Sequence, residues 1–424
     1  MLNTRYFKDK KVTVVGLARS GFACAKLLRE LGARVRVTDA SDNPHTRAFS
    51  SNFGSQGIEF ELGRHSEDFI RGAQLVVVSP GVAANSQPIL WAKQFSVPFI
   101  SEIEAASMLC PGQIIAVTGS NGKTTVTTLI GKILEKSGKK CFVCGNIGNP
   151  FCGEVAKVKR GDFVVLEVSS FQLETIRDFH PRIAVILNVT PNHLDRYGDM
   201  REYLDAKKRI FMNQDRKDFL VLNMDDPLLK TVAAEARANV VFFGREGGYN
   251  PNQNAVRAVG KTLGIKPAKM DEVFREFKGI EHRLEEVAEI NGVKFINDSK
   301  ATTADSAVWA IGNIDSPIIL IAGGRHKGID YKVILGPAKG KVKQAFLIGE
   351  ARDIIAADLA GGIPAQNADT LKDAVVSSLQ SAQPGDCVLF SPMCSSFDMF
   401  RDYEQRGEAF KKIVLDLARG INPE

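Results

Sequence analysis

Residues 114–125 read IIAVTGSNGKTT. An apolar run gives way to two glycines, and Lys123, Thr124 and Thr125 then open a helix-like stretch. Glycines in such a turn let backbone N–H groups point into a cradle, and the helix that follows turns its positive end toward an anion. Gly119, Ser120, Asn121, Gly122, Lys123, Thr124 and Thr125 are therefore candidate phosphate-binding residues. Lys123 is placed to meet the outer phosphates, and Thr124 has the position of the hydroxyl that a P-loop uses on Mg²⁺. The first glycine stands closer to Gly122 than the usual P-loop spacing requires, so the standard pattern is not met. An ordinary glycine-rich strand-to-helix turn is the alternative; strand, loop, Lys-Thr-Thr and helix in the right order favour an ATP site.

Upstream, residues 10–41 read KKVTVVGLARSGFACAKLLRELGARVRVTDAS, a strand, a glycine turn, an amphipathic helix and a second strand ending at Asp39. This is a βαβ unit. Gly16 and Gly21 allow a tight turn that presents helix N-terminal amides to an anion, and Asp39 is placed to accept hydrogen bonds from a sugar or base. The spacing is GxxxxG rather than GxGxxG, which leaves NAD and another nucleotide both open. Further strands read at QLVVVSPG and VPFIS, and the Pro-Gly pair in EAASMLCPGQ marks a boundary before the phosphate-loop strand.

Downstream, strands read at GDFVVLEVSS, RIAVILNVT, FLVLN and NVVFFG, and a third set at SPIILIAGG, QAFLIG and CVLFSP. Helical patterns separate them, so the expected fold is α/β with three consecutive modules: a Rossmann-like domain over 1–104, a P-loop ATPase domain over 105–280 and a second Rossmann-like domain over 281–424. Glu167 falls inside an apolar strand, where a carboxylate needs a cation, a metal or a proton; a structural salt bridge is the plain alternative to Mg²⁺. NVTPNHLDRYGDM places His193 and Asp195 past a strand's C-terminal end, the ligand edge of an open α/β sheet. Lys207 lies on the helix that follows, where an isolated lysine is ordinarily a solvated face.

The chain has 424 residues, 25% charged, with a net charge of +6. Its basic residues are scattered, which argues against a nucleic-acid groove and suits anionic small molecules. No apolar run approaches the ~18 residues of a membrane span, and the N-terminus lacks a signal-type core, so a cytoplasmic protein is expected. Seven cysteines without an export signal do not form a disulfide framework. The lone CxxC, Cys141 and Cys144, reads as part of a strand.

Taken in order, TGSNGKTT, LEVSSFQLE, NVTPNHLDRY, DAKKRIF, EHR, NDSKAT, GGRHKG and SPMCSSFDMF resemble the Mur ligases of peptidoglycan synthesis over nearly the whole chain. NDSKAT, GLARSG and SPGV are similar to the branch of that family that adds D-glutamate. The resemblance implies a cytoplasmic, monomeric enzyme that phosphorylates the carboxylate of UDP-N-acetylmuramoyl-L-alanine with ATP, after which the amine of D-glutamate attacks the acyl phosphate. It implies that Lys123 binds phosphate, that Thr124 and Glu167 share one Mg²⁺, and that His193 and a Lys207 carbamylated by CO₂ hold a second. It assigns the UDP substrate to Arg19, Ser20, Asp39, Ser79, Pro80, Gly81, Asn146 and His193. Arg283 and Asp298 fall to ATP, and Lys300, Thr302, Lys327, Ser396, Phe397 and Tyr403 to D-glutamate.

Two departures stand out. After the middle-domain FG the family carries a longer, strand-containing stretch and an HNxxN-like adenine motif, whereas FFGREGGYNPNQNAVRAVG runs there directly. Asn250, Asn252 and Asn254 offer competing registers, and Asn254 is preferred for adenine because a helical pattern continues from it. Ala40 also follows Asp39 where a relative offers a hydroxyl. A sibling ligase, a folylpolyglutamate-type enzyme and a nucleotide switch that catalyses no ligation are the alternatives.

Overall fold

The computed structural model describes residues 5–51, 53–83, 85–190, 196–326 and 328–420. His193, Asp195 and Lys327 lie outside the described residues. The chain divides into two compact units, Met1–Phe277 and Lys278–Glu424.

The first unit holds two sheets. One orders its strands β3-β2-β1-β4-β5, with β1 at Lys11–Val15, β2 at Arg34–Asp39, β3 at Glu59–Leu62, β4 at Leu75–Val78 and β5 at Phe99–Ser101. The other runs β11-β10-β9-β6-β8-β7, with β6 at Gln113–Thr118, β7 at Cys141–Gly145, β8 at Phe163–Glu167, β9 at Ile183–Ile186, β10 at Phe219–Asn223 and β11 at Asn239–Phe243. Every pair in both sheets is parallel. Parallel strands are covered on both faces, so they read as unbroken apolar runs: LVVV of β4 and IAVI of β9 are buried throughout. In such sheets ligands gather at the carboxyl edge where strand order reverses. That edge lies between β1 and β4 in one sheet and between β6 and β8 in the other.

One apolar cluster, from Phe7 to Ala238, draws on both sheets and joins them. Two carboxylates on the helix Glu102–Ser107 reinforce the join. Glu104, 1% exposed, accepts the backbone N–H groups of Arg177, Asp178 and Phe179 at 2.8, 2.9 and 3.0 Å. Glu102 accepts the Cys152 N–H at 2.6 Å through Oε1, while its Oε2 is buried without a partner. Burial pushes the Glu102 carboxyl up to about 7 against the pull of Cys152. Because this folded value lies above the unfolded one, the stabilisation is complete below the ordinary carboxyl range and is lost as pH rises through about 7. Glu102→Gln should therefore match the parent at low pH and exceed it by roughly 3 kcal/mol above pH 8. Denaturant melts at the two pH values check this; equal curves at both would refute the buried-charge account.

The second unit has one mixed sheet, β12-β13-β17-β14-β15-β16. Its strands are β12 at Glu285–Ile290, β13 at Val293–Asn297, β14 at Ile318–Gly323, β15 at Val342–Ile348, β16 at Ala365–Asn367 and β17 at Cys387–Phe390. β12 pairs antiparallel with β13 through the two-residue turn Asn291-Gly292, both at positive φ, which suits a tight hairpin. The remaining pairs are parallel. The chain is thus α/β with three sheets, two parallel and the third carrying an antiparallel edge strand.

Candidate active site

The phosphate loop follows β6, and the helix Lys123–Lys136 begins directly behind it. Gly122, at φ 82°, takes the left-handed turn before the helix and has no side chain to cap the first N–H groups, which leaves them for an anion. The loop is braced from the turn after β9. Asn188 accepts the Asn121 N–H through Oδ1 at 2.8 Å and donates back to the Asn121 carbonyl at 3.1 Å. The Ser120 hydroxyl donates to the Thr190 carbonyl and accepts its N–H, both at 3.0 Å. Lys123 Nζ donates to the carbonyls of Gly119 and Ser120 at 2.8 and 2.9 Å, so its ammonium lies over the mouth of the cradle. Thr125 occupies the same first turn.

Glu167 ends β8, the strand beside β6. It is 3% exposed, and two neutral groups hold it: Thr124 Oγ1 donates to Oε2 at 2.7 Å and Asn146 Nδ2 to Oε1 at 2.9 Å. Among the described residues no Lys or Arg forms an ion pair with it, so the salt-bridge alternative does not apply. A buried carboxylate with only two neutral donors keeps lone pairs for a hard cation, and Thr124 supplies an adjacent oxygen. The donor set fits Mg²⁺.

Lys207 closes the site. It sits on the helix Met200–Lys208, 1% exposed, with Nζ 4.2 Å from the centre of the Tyr203 ring. Burial first, and the Lys123 charge second, hold its amine well below the ordinary lysine value. The solvated-lysine alternative fails on that burial. Tyr203, which no motif reading singled out, has its hydroxyl 3.3 Å from Ser120 Oγ, whose own proton goes to the Thr190 carbonyl, and so ties the lysine's helix to the phosphate loop.

The three asparagines after β11 separate cleanly. Asn250 caps the helix Pro251–Thr262 in a capping box. Asn254, 7% exposed, donates through Nδ2 to the carbonyls of Gly244, Glu246 and Tyr249, holding the shortened segment closed. Asn252 is the one beside the loop: its Oδ1 lies 2.4 Å from where a Cβ on Gly122 would stand.

In the first sheet Arg19 and Ser20 start the helix Arg19–Glu30 after β1, Asp39 ends β2, and Ser79, Pro80 and Gly81 follow β4. The carboxyl edge brings them together. Gly21 is required there by close approach, since a Cβ would fall 1.9 Å from the Gly16 carbonyl oxygen. Ser79 Oγ donates to that same carbonyl at 2.8 Å. Asp39 is committed to the backbone, accepting from Leu17 N at 2.5 Å and Ser41 N at 2.7 Å, so it shapes the turn as well as facing the edge.

In the second unit Asp298, Lys300 and Thr302 follow β13, and Ser396, Phe397 and Tyr403 follow β17. Asp298 accepts Ser391 Oγ at 2.9 Å and Leu284 N at 3.3 Å; burial pushes its carboxyl up to about 7 against those bonds and the Arg283 charge. Arg283 stands between His282 and Leu284, both at positive φ, a local strain of the kind that functional loops carry, and its guanidinium lies over Trp309. The Lys300 ammonium lies 5.9 Å from the Tyr403 ring centre. Ser396 is buried and Phe397 half exposed.

Sheets with ligand edges at their switch points and a braced phosphate loop above a buried carboxylate define a nucleotide-using α/β enzyme. The chain matches the family descriptions "Mur ligase middle domain" over residues 117–281, "Mur ligase MurD-like, N-terminal domain" over 10–101 and "Mur ligase, glutamate ligase domain" over 282–394. It is 43% identical to the UDP-N-acetylmuramoylalanine--D-glutamate ligase of Geotalea uraniireducens, covering 97% of this chain and 98% of that protein. With the enzyme of the same name from Pelotomaculum thermopropionicum it shares 40%, over 98% and 99% of the two chains. Among solved structures it is similar to the UDP-N-acetylmuramate-alanine ligase MurC of Thermotoga maritima, with a TM-score of 0.58, 19% identity and coverage of 96% and 100%. The MurF ligase of Thermotoga maritima in complex with ADP gives a TM-score of 0.55 at 17% identity, covering 99% and 98%. This chain belongs to the Mur ligase family of ATP-dependent amide-bond-forming ligases.

Proposed function

We infer that the protein joins D-glutamate to UDP-N-acetylmuramoyl-L-alanine with hydrolysis of ATP, a step of peptidoglycan precursor synthesis. One observation carries the geometry: Glu167 is held by Thr124 of the phosphate loop on one side and by Asn146, the residue the family resemblance gives to the sugar-peptide, on the other. Nucleotide and acceptor sites thus meet at a single buried carboxylate. The near-full-length similarity to D-glutamate ligases selects the amino acid.

A carboxylate is a poor electrophile. Its oxygen attacks the γ-phosphorus and ADP leaves; the amine nitrogen then attacks the acyl carbon, phosphate leaves, and the nitrogen gives up a proton. Lys123 and the loop N–H groups bear the charge that builds on the transferring phosphoryl. Mg²⁺ held by Thr124 and Glu167 would screen the phosphates from the incoming carboxylate. The second ion falls to His193 and Lys207. Burial lowers the Lys207 pKa and so favours the neutral amine, the form that adds CO₂ to give a carbamate and a proton; a carbamate there would turn repulsion from Lys123 into attraction. Asn254 is assigned to the adenine, with Asn252 alongside the loop. The residues at the carboxyl edge of the first sheet hold UDP; Lys300, Thr302, Lys327, Ser396, Phe397 and Tyr403 take D-glutamate; Arg283 and Asp298 serve the nucleotide.

We place the enzyme in the cytoplasm as a monomer acting on small molecules, with domains at 1–104, 105–280 and 281–424. Among the described residues no helix is long and apolar enough to cross a membrane. A phosphate-release assay tests the reading: release should need both the UDP-linked acceptor and D-glutamate. Slow release indifferent to both would make the protein a nucleotide switch.

A further inference from the structure

The largest side chain buried in the second unit is a cation. Arg406, on the helix Tyr403–Ala418, is 1% exposed. All its recorded hydrogen bonds go to neutral oxygens: Nε donates to Ser299 Oγ at 3.0 Å, NH2 to the Ser299 carbonyl at 2.8 Å and NH1 to the Cys394 carbonyl at 3.1 Å. No carboxylate of the described residues forms an ion pair with it. NH1 also lies 3.2 Å from where a Cβ on Gly324 would stand. Ser299, Cys394 and Gly324 belong to the segments after β13, β17 and β14, which are neighbours in the sheet. One guanidinium therefore fastens two adjacent loops at the carboxyl edge and lies against a third.

Burying a cation without a counter-ion costs several kcal/mol unless something else returns it. Burial draws its pKa down to about 10, against the fields of Cys394 and Asp398, so it stays charged at neutral pH. Two carbonyls and a hydroxyl turned toward it recover part of the cost. Its partners Ser299 and Cys394 place the charge beside the segments that carry Lys300 and Ser396.

We propose that Arg406 is a positioning and specificity-determining residue for the amino-acid substrate, fixing the two loops and biasing the pocket toward a substrate with two carboxylates over one with a neutral side chain. This rests on the reading that D-glutamate binds at those loops. A planar fork joins two carbonyls and a hydroxyl in a way a lysine ammonium cannot, whereas a lysine keeps the charge. The two contributions are thus separable.

The experiment compares parent, Arg406→Met, Arg406→Lys and Ser299→Ala in phosphate release with ATP and the UDP-linked acceptor, using D-glutamate or D-glutamine as the amino acid, with thermal melts alongside. Arg406→Met should raise KM for D-glutamate by about 10- to 100-fold, as loss of a charge-assisted contribution does. It should leave KM for ATP unchanged and lower the preference for D-glutamate over D-glutamine. Arg406→Lys should regain the preference but not the full kcat. If Arg406→Met fails to fold, Ser299→Ala and Arg406→Lys still decide: loss of kcat/KM for D-glutamate in the first and retained preference in the second support the inference. A folded Arg406→Met with an unchanged preference, or Ser299→Ala with unchanged kcat/KM for D-glutamate, overturns it. Parent enzyme indifferent to D-glutamate would strike down the functional reading, and with it the selectivity assigned to Arg406.

Discussion

Lys123→Ala should lower phosphate release by about 10² to 10³-fold, the usual cost of removing one preorganised charge from a transition state. Lys123 is only partly buried, and its ammonium donates to the loop carbonyls of Gly119 and Ser120 rather than packing in the core. The melting curve should therefore stay close to the parent's, and the loss should fall on kcat more than on KM for D-glutamate. A second effect compounds it. Burial first and the Lys123 charge second lower the Lys207 pKa, so removing Lys123 lets that amine regain basicity and shifts it toward the protonated form. Loss of the cation also takes away the partner of a carbamate. Steady-state phosphate release in a folded variant checks the prediction; turnover within about threefold of the parent would remove Lys123 from the chemistry.

How much of this can be read from sequence depends on whether a residue's surroundings are local. Strands buried on both faces announce themselves as apolar runs, so β4, β6, β8, β9 and β14 are legible at once. The hairpin β12–β13 is not, because EEVAEI is charged and half exposed, although Asn291-Gly292 between the strands is a strong hairpin signal. β3 and β16 are short, polar edge strands with no pattern to find. The phosphate loop and Glu167 stand out for the same reason as the core: glycines and a carboxylate are anomalies in an apolar context. Asn254 shows the limit. The helical pattern that continues from it makes it the preferred adenine residue among competing registers, and only the folded segment shows that its amide also holds the carbonyls of Gly244, Glu246 and Tyr249 and that Asn252 stands beside Gly122. Arg406 and Tyr203 are less legible still, since each sits at a helical spacing that looks amphipathic and finds its partners through distant loops. Glu102 and Glu104 lie in what reads as a linker, but act as clamps between two sheets of one unit.

Lys207→Ala should abolish ligation, with loss at least as large as for Lys123, and short carboxylic acids should restore part of it. A lysine held almost wholly out of water, against an aromatic ring and facing another lysine's charge, is destabilised as an ammonium and gains by becoming neutral. Neutral amine adds CO₂ and releases a proton, leaving an anion where a cation was costly, beside the Lys123 charge that had opposed it. An added carboxylate placed in the space left by alanine reproduces that anion, which is why rescue by acetate or formate separates a lost carbamate from a merely disturbed core. Lys207→Arg fills the space but cannot form the carbamate, and should stay inactive with or without added acid. Labelled CO₂ gives a readout independent of turnover: the parent should show a carbamate carbon signal that Lys207→Arg lacks. Equal parent activity in CO₂-depleted and CO₂-supplied buffer, with no such signal, would leave Lys207 as a neutral amine packed on Tyr203 and require another source for the anionic oxygen.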